Sequence, residues 1–306
     1  MRAGLFVRVA TGSRSAHPPS RATRRKGALA VLGVLASLSL SDCRGPDPMS
    51  RAPAARSLLA LAGSVHERRD EDTQQAEAEL AHIAALVREA LGEARSRDAS
   101  ASPIAVLNGV VFGALGFVRE VEDTSLDFVL LPSVLKGRRG NCVGLGTMYL
   151  AVGEMLDWQV EGVLRPGHFF VRIREGTMAR NVELLRKGEE MPDSWYDERF
   201  PIPAGSGRAY GRGLSMAEVR GVVEYDVGNE RRRQGRFAEA RIAYERSTRD
   251  FPDLGEAYAS LGAMQQLLGA LDDAEASYGA ARRSNPALPG LEQNVELLKR
   301  ERAGGR

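Results

Sequence analysis

Near its C-terminus the chain repeats itself at a fixed offset of 34 residues. Gly228, Gly235, Ala240, Tyr244 and Pro252 recur as Gly262, Gly269, Ala274, Tyr278 and Pro286. Matches at a single offset of this length specify helical hairpins that bury their apolar faces by stacking on one another. The small residues let helices approach, the tyrosines fill the space between hairpins, and the prolines end each unit. The units span 221–254 and 255–288, and Leu291 to Leu298 supplies a capping helix within 289–306. Two repeats are few for independent stability, so the module is expected to lean on whatever precedes it.

The preceding sequence changes period. Leu80, Ile83, Val87 and Leu91 recur at three and four residues, the mark of an amphipathic helix. Ser102-Pro103 reads as an N-cap and first-turn pair opening a second helix through Leu107, Val110 and Leu115. Leu126 to Leu135 reads as another short helix. Beyond an apolar helix that starts near Cys142, strands are expected at Gln159 to Leu164, His168 to Arg174 and Ala179 to Leu184, with turns at Arg165-Pro166-Gly167 and Glu175-Gly176. Helices followed by an antiparallel sheet define an α+β domain, placed at 57–220. Residues 188–218, with Trp195, Tyr196, prolines and glycines, read as an extended covering segment, and 44–56 as a Pro- and Ala-rich linker.

The formal charge of +2 misrepresents the folded part. Seven Arg and Lys stand in the first 42 residues against Asp42 alone, leaving 35 bases and 39 acids in the rest. A slightly acidic body argues against nucleic acid as a partner. Arg21, Arg24, Arg25 and Lys26 precede an apolar run, Ala28 to Leu40, too short for a comfortable membrane span; 1–43 therefore reads as a signal or lipoprotein signal. Thr23-Arg24-Arg25 faintly resembles a twin-arginine signal. Leu40-Ser41-Asp42-Cys43 resembles a lipobox, in which Cys43 would carry a lipid anchor, although Asp42 fits that pattern poorly. Ser39 and Ser41 also suit ordinary cleavage; an uncleaved anchor or a start placed too early are the other readings. Export to a bacterial cell envelope, periplasmic or lipid-anchored, is the expectation carried forward.

Export bears on the second cysteine. With Cys43 lipidated or removed, Cys142 has no disulfide partner in an oxidising compartment. It follows Arg138-Arg139-Gly140-Asn141 and opens an apolar helix, where unpaired N–H groups and the helix dipole stabilise a thiolate. His168 begins a strand 26 residues later. Cysteine first and histidine second, on separate elements, is the layout of a thiol nucleophile and its base. A small buried core cysteine and a satisfied structural histidine are the competing readings. Asn181 and Glu183 share one face of the next strand, and either can orient the imidazole; Glu183 can also stabilise its charge, unless it is merely a solvated strand residue. The backbone N–H of Cys142, helped by the Asn141 side chain, would meet an oxyanion.

His17, His66 and His82 lack a matching ligand set, no zinc spacing exists with one mature cysteine, and Gly140 and Gly144 lack the residues of a nucleotide loop. No cofactor and no metal are expected. The cluster Lys136, Arg138 and Arg139 reads as a solvated turn, with lowering of the thiol pKa or binding of an acidic substrate as alternatives.

Several of these segments resemble a known family. Arg139-Gly140-Asn141-Cys142, the helix Leu145 to Leu156, Gly162-Val163-Leu164, Pro166-Gly167-His168-Phe169-Phe170-Val171-Arg172 and Asn181-Val182-Glu183 resemble the bacterial transglutaminase-like core. The C-terminal units resemble tetratricopeptide repeats, and the whole, over roughly 100–290, resembles the branch with a helical N-terminal half and such repeats. The resemblance implies a papain-like α+β fold followed by an α-helical repeat module, with Cys142 as nucleophile and His168 as base. Glu183 stands where the family usually has aspartate, and Val143 where transglutaminases often carry an aromatic residue. Relatives in this branch often lack the cysteine, so its presence implies an enzyme. The implied activity is an exported thiol hydrolase or acyl transferase acting on peptide or isopeptide amides, its repeats recruiting a protein or peptide partner; the alternative is a non-catalytic envelope adaptor. Oligomeric state is not readable from the sequence.

Overall fold

The computed structural model of the chain describes residues 49, 52–65, 70–120, 125–206 and 208–304. The segment 1–43 with Cys43 and His17, as well as His66, lies outside the described residues. No helix among the described residues is long and apolar enough to cross a membrane.

Helices come first: α1 (Pro53–Val65), α2 (Asp70–Arg97) and α3 (Pro103–Asn108). Residues 53–56, expected as linker, already form the start of α1, because the Glu154 carboxylate accepts the N–H groups of Ala54 and Ala55 at its N-terminus. Ser102 caps α3 by accepting the Ala105 N–H, but the expected single helix through Leu115 widens into a π-helical turn over Gly109–Ala114. A short strand β1 (Val118–Arg119) pairs in parallel with β2 (Arg139–Gly140), and between them a 3-10 turn at Leu126–Phe128 leads into α4 (Leu131–Gly137).

Helix α5 (Cys142–Met155) is buried over nearly its whole length, Cys142 and Glu154 near its two ends excepted, and is correspondingly apolar. It packs on α1, α2 and α4 and, on another side, against the sheet. Three glycines, Gly144, Gly146 and Gly153, make those approaches possible. A Cβ on Gly144 would sit 2.1 Å from the Phe128 carbonyl oxygen, and one on Gly146 would sit 2.4 Å from the Phe169 ring. Each glycine costs about 1 kcal/mol in a helix interior relative to alanine, which the closer packing offsets.

The sheet is antiparallel throughout, in the order β6-β5-β4-β3-β7: β3 (Gln159–Arg165), β4 (His168–Glu175), β5 (Met178–Glu183), β6 (Glu189–Met191) and β7 (Gly213–Leu214). Strand alternation sorts β4 into two faces. Phe169, Val171 and Ile173 enter the main core on the α5 side, whereas Phe170 joins a second cluster with Val163, Tyr196, Trp195 and Phe200. That second face is covered by α6 (Asp193–Arg199), so part of the expected extended cover is helical.

Five helices follow: α7 (Met216–Arg233), α8 (Phe237–Asp250), α9 (Gly255–Leu267), α10 (Leu271–Ser284) and α11 (Leu291–Gly304). The 34-residue period reappears as packing. A Cβ on Gly228 would strike the Tyr244 ring at 2.5 Å, and one on Gly262 the Tyr278 ring at 2.7 Å. The expected boundary at 220 falls inside α7, which begins at Met216 because Ser215 and Glu218 form a reciprocal capping box. Val219, Val222, Val223, Val227 and Phe251 belong to the same core as α5, so the first hairpin shares the interior of the α+β part. The second hairpin closes its own core with α11 through Ala274, Tyr278, Leu291 and Leu298.

Candidate active site

Cys142 is held at the first position of α5 from both directions. On the N-terminal side, Asn141 donates its N–H to the Phe128 carbonyl at 2.9 Å. On the helix side, the Asn141 Oδ1 accepts the Gly144 N–H at 2.9 Å. The thiol, half-buried, therefore stands in the helical turn whose amides have no partner within the helix, which suits both a thiolate and an oxyanion. Because its oxygen serves the cap, the Asn141 side chain can offer an oxyanion only its NH2 group.

His168 is placed by the hairpin between β3 and β4. Pro166 presets φ, Gly167 takes φ 69°, and the register pairs Arg165 with His168 at the hairpin end. The side chain is buried, and its Nε2 lies 2.7 Å from Glu183 Oε2. Glu183 is also buried and accepts the Leu185 N–H on Oε1 at 3.0 Å, the contact that ends β5 and turns the chain into the 3-10 turn at Leu184–Arg186. A carboxylate on Nε2 requires that nitrogen to carry its proton, which leaves Nδ1 to receive one. Burial alone would disfavour charge on the imidazole. Hydrogen bonding to Cys142 and Glu183, with the negative charge of each, outweighs it and pushes the His168 pKa up to about 9. The stability that the imidazolium brings is complete below pH about 6.5 and is lost as pH rises through about 9.

The structure brings Cys142, His168 and Glu183 together and separates Asn181 from them. Asn181 lies on the same face of β5 as Glu183, but its Oδ1 accepts from Arg172 Nε at 2.7 Å and its Nδ2 donates to Asp193 at 2.8 Å. It does not orient the imidazole; Glu183 does. The basic cluster is engaged in local contacts: Arg139 pairs with Glu120 and lies 5.2 Å over the Phe128 ring, and Arg138 donates to the Leu115 carbonyl at 3.0 Å. His82 is exposed on α2. Among the described residues no group of His, Cys, Asp and Glu is arranged to hold a metal ion.

Sequence reasoning missed the aromatic side of the site. Phe200 stacks on the His168 imidazole with ring centroids 4.2 Å apart and planes 9° from parallel. Tyr196 stacks on Phe170 at 3.9 Å. Its hydroxyl is buried beside Glu183 without completing a hydrogen bond, and burial, followed by the Glu183 charge, holds its pKa well above the usual tyrosine range. The clue was the strand period, which places His168, Phe170 and Arg172 on one face and asks for a cover over them.

A thiol at a helix N-terminus, an imidazole at a strand start and a carboxylate on the next strand define a thiol–imidazole–carboxylate site in an α+β fold. Residues 74–199, which contain all three, match the transglutaminase-like superfamily, a likeness that points to cysteine hydrolases and acyltransferases. The match covers less than half of the chain. No curated protein and no solved structure matches the chain.

Proposed function

We propose that the protein is an exported thiol-dependent hydrolase or acyl transferase that acts on peptide or isopeptide amides through a Cys142 thioester. The observation that carries this reading is the His168–Glu183 contact at 2.7 Å, with the other side of the imidazole engaged by Cys142. Nδ1 takes the thiol proton and Sγ attacks the amide carbon. The oxyanion is received by the Cys142 N–H, the C–N bond breaks, and the imidazolium returns the proton to the departing amine. Water or a second amine then attacks the thioester, giving hydrolysis or transfer. Glu183 replaces the shorter aspartate of the family and holds the imidazole from Nε2.

The remaining parts of the proposal rest on the sequence. The basic and apolar residues before Cys43 support export to a bacterial envelope, where the protein is either periplasmic or anchored by a lipid on Cys43. The 34-residue period, with tyrosines packed on glycines, supports a pair of tetratricopeptide repeats that recruit a protein or peptide partner. The same packing favours a second reading, a non-catalytic envelope adaptor, in which Cys142→Ala would retain partner binding.

Hydroxylamine decides between them. As a small amine acceptor it should convert glutamine-containing or isopeptide-containing peptides to hydroxamates with the wild-type protein and give none with Cys142→Ala. Equal yields from the two proteins, or none from the wild type across both peptide classes, would refute the enzyme reading.

A further inference from the structure

We propose that Phe200 is a positioning residue for the His168 imidazole, and that α6 is latched onto the sheet to keep it there. The inference deepens the thiol–imidazole reading and rests on it for its catalytic meaning.

The imidazole has two contacts to maintain at once. Nε2 has to stay on Glu183 while the ring also keeps its hydrogen bond to Cys142. Rotation about the Cβ–Cγ bond, a broad and soft torsion in histidine, would exchange nitrogen for carbon at both contacts. A strand residue does not by itself prevent that rotation. A flat ring stacked at 4.2 Å and nearly parallel does, because the turning imidazole would have to pass through it. The same ring covers one face of the imidazole, and with His168 and Glu183 both buried this keeps water from competing for the Nε2–Glu183 hydrogen bond.

Phe200 directly follows α6, so its position depends on that helix. Two acidic residues of α6 reach back to arginines on the face that carries His168. Asp193 accepts from Arg172 on β4 at 3.0 Å, and Asp197 pairs with Arg165 on β3 at 2.8 Å. Arg165 is the register partner of His168, and Arg172 lies four residues along the same strand face. Both arginine side chains are largely buried while both aspartates are mostly exposed. Arg165 Nε is buried with no partner at all. Burying guanidinium groups to hold a short helix is costly, and an apolar contact would anchor it more cheaply. Asn181 completes the latch by binding Arg172 and Asp193 together. It thus acts on His168 at one remove, through α6 and Phe200.

Two variants at Phe200 test this. Phe200→Leu removes the flat ring and keeps an apolar side chain; Phe200→Tyr keeps the ring. In proton NMR the wild type and Phe200→Tyr should show a low-field, slowly exchanging His168 Nε2–H resonance, and Phe200→Leu should lose it to exchange with water. Alkylation of Cys142 at neutral pH should fall about threefold in Phe200→Leu, less than removal of the imidazole would cost, and recover in Phe200→Tyr. Asp193→Ala, a change at an exposed position, should weaken the resonance in the same direction even if Phe200→Leu does not fold. The proposal is overturned if the wild type lacks the resonance, or if Phe200→Leu keeps both the resonance and the alkylation rate. Should alkylation prove indifferent to His168→Ala, the enzyme reading fails, yet the resonance still reports whether Phe200 holds the imidazole.

Discussion

Replacing His168 with alanine should slow alkylation of Cys142 at pH 7 by roughly ten- to thirtyfold. The size follows from charge. A free cysteine with an ordinary pKa near 8.5 is only about 3% thiolate at pH 7, whereas a thiolate paired with imidazolium stays charged. A thiolate held in an ion pair is also a weaker nucleophile than a free one, which gives the lower end of the range. In this protein the imidazolium is held by Glu183 on Nε2 in a buried setting, so losing the ring removes both the proton acceptor and the counter-charge. Rates measured with iodoacetamide, with unchanged circular dichroism as the control for folding, provide the check. Equal rates in the two proteins would mean that Cys142 and His168 are not chemically coupled.

The second large effect concerns the fold that carries the thiol. Gly144→Ala should destabilise the protein by about 3 kcal/mol, the scale of an overpacked core, and lower its melting temperature by roughly 10 °C. The new methyl group would lie 2.1 Å from the Phe128 carbonyl oxygen and 2.8 Å from Val134 Cγ2. A Cβ has no rotamer by which to escape, so the backbone at Phe128 must retreat. That same carbonyl accepts the Asn141 N–H, the bond that seats Cys142 at the start of α5. Stability and thiol reactivity should therefore fall together. Gly63→Ala in α1, where a Cβ meets nothing within 4 Å, should instead be neutral or stabilise by about 0.5–1 kcal/mol. Chemical denaturation of the two variants separates the outcomes, and a Gly144→Ala protein as stable as the wild type would contradict the packing described here.

Much of this site was readable in the sequence because its parts are local. A cysteine after a glycine turn, a histidine opening a strand and a carboxylate on the following strand each announce themselves by neighbours within a few residues. The choice between Asn181 and Glu183 was not local. Both sit on one face of β5, and only the pairing of Val171 with Val182 sets Glu183 diagonally across from His168 while Asn181 falls beside Arg172. Phe200 left no periodic trace, since the segment that carries it winds from a short helix into irregular chain. The start of α7 was a missed signal of a different kind. Ser215 and Glu218 spell a capping box in plain sequence, but the 34-residue repeat drew the boundary to 221 instead. The widening of the turn at Gly109–Ala114 has no counterpart in the apolar spacing, which reads the same through α-helical and π-helical pitch.

The measurement that bears most directly on the account is the titration of the His168 imidazole, followed by NMR in the wild type and in Cys142→Ser. Charge on the ring is favoured by Cys142 and Glu183 together, so the wild-type midpoint is expected at about 9 and should move down when the sulfur is replaced. A midpoint at or below the ordinary histidine value of about 6.5, unchanged in Cys142→Ser, would show that the three side chains are neighbours without forming a charge-coupled site.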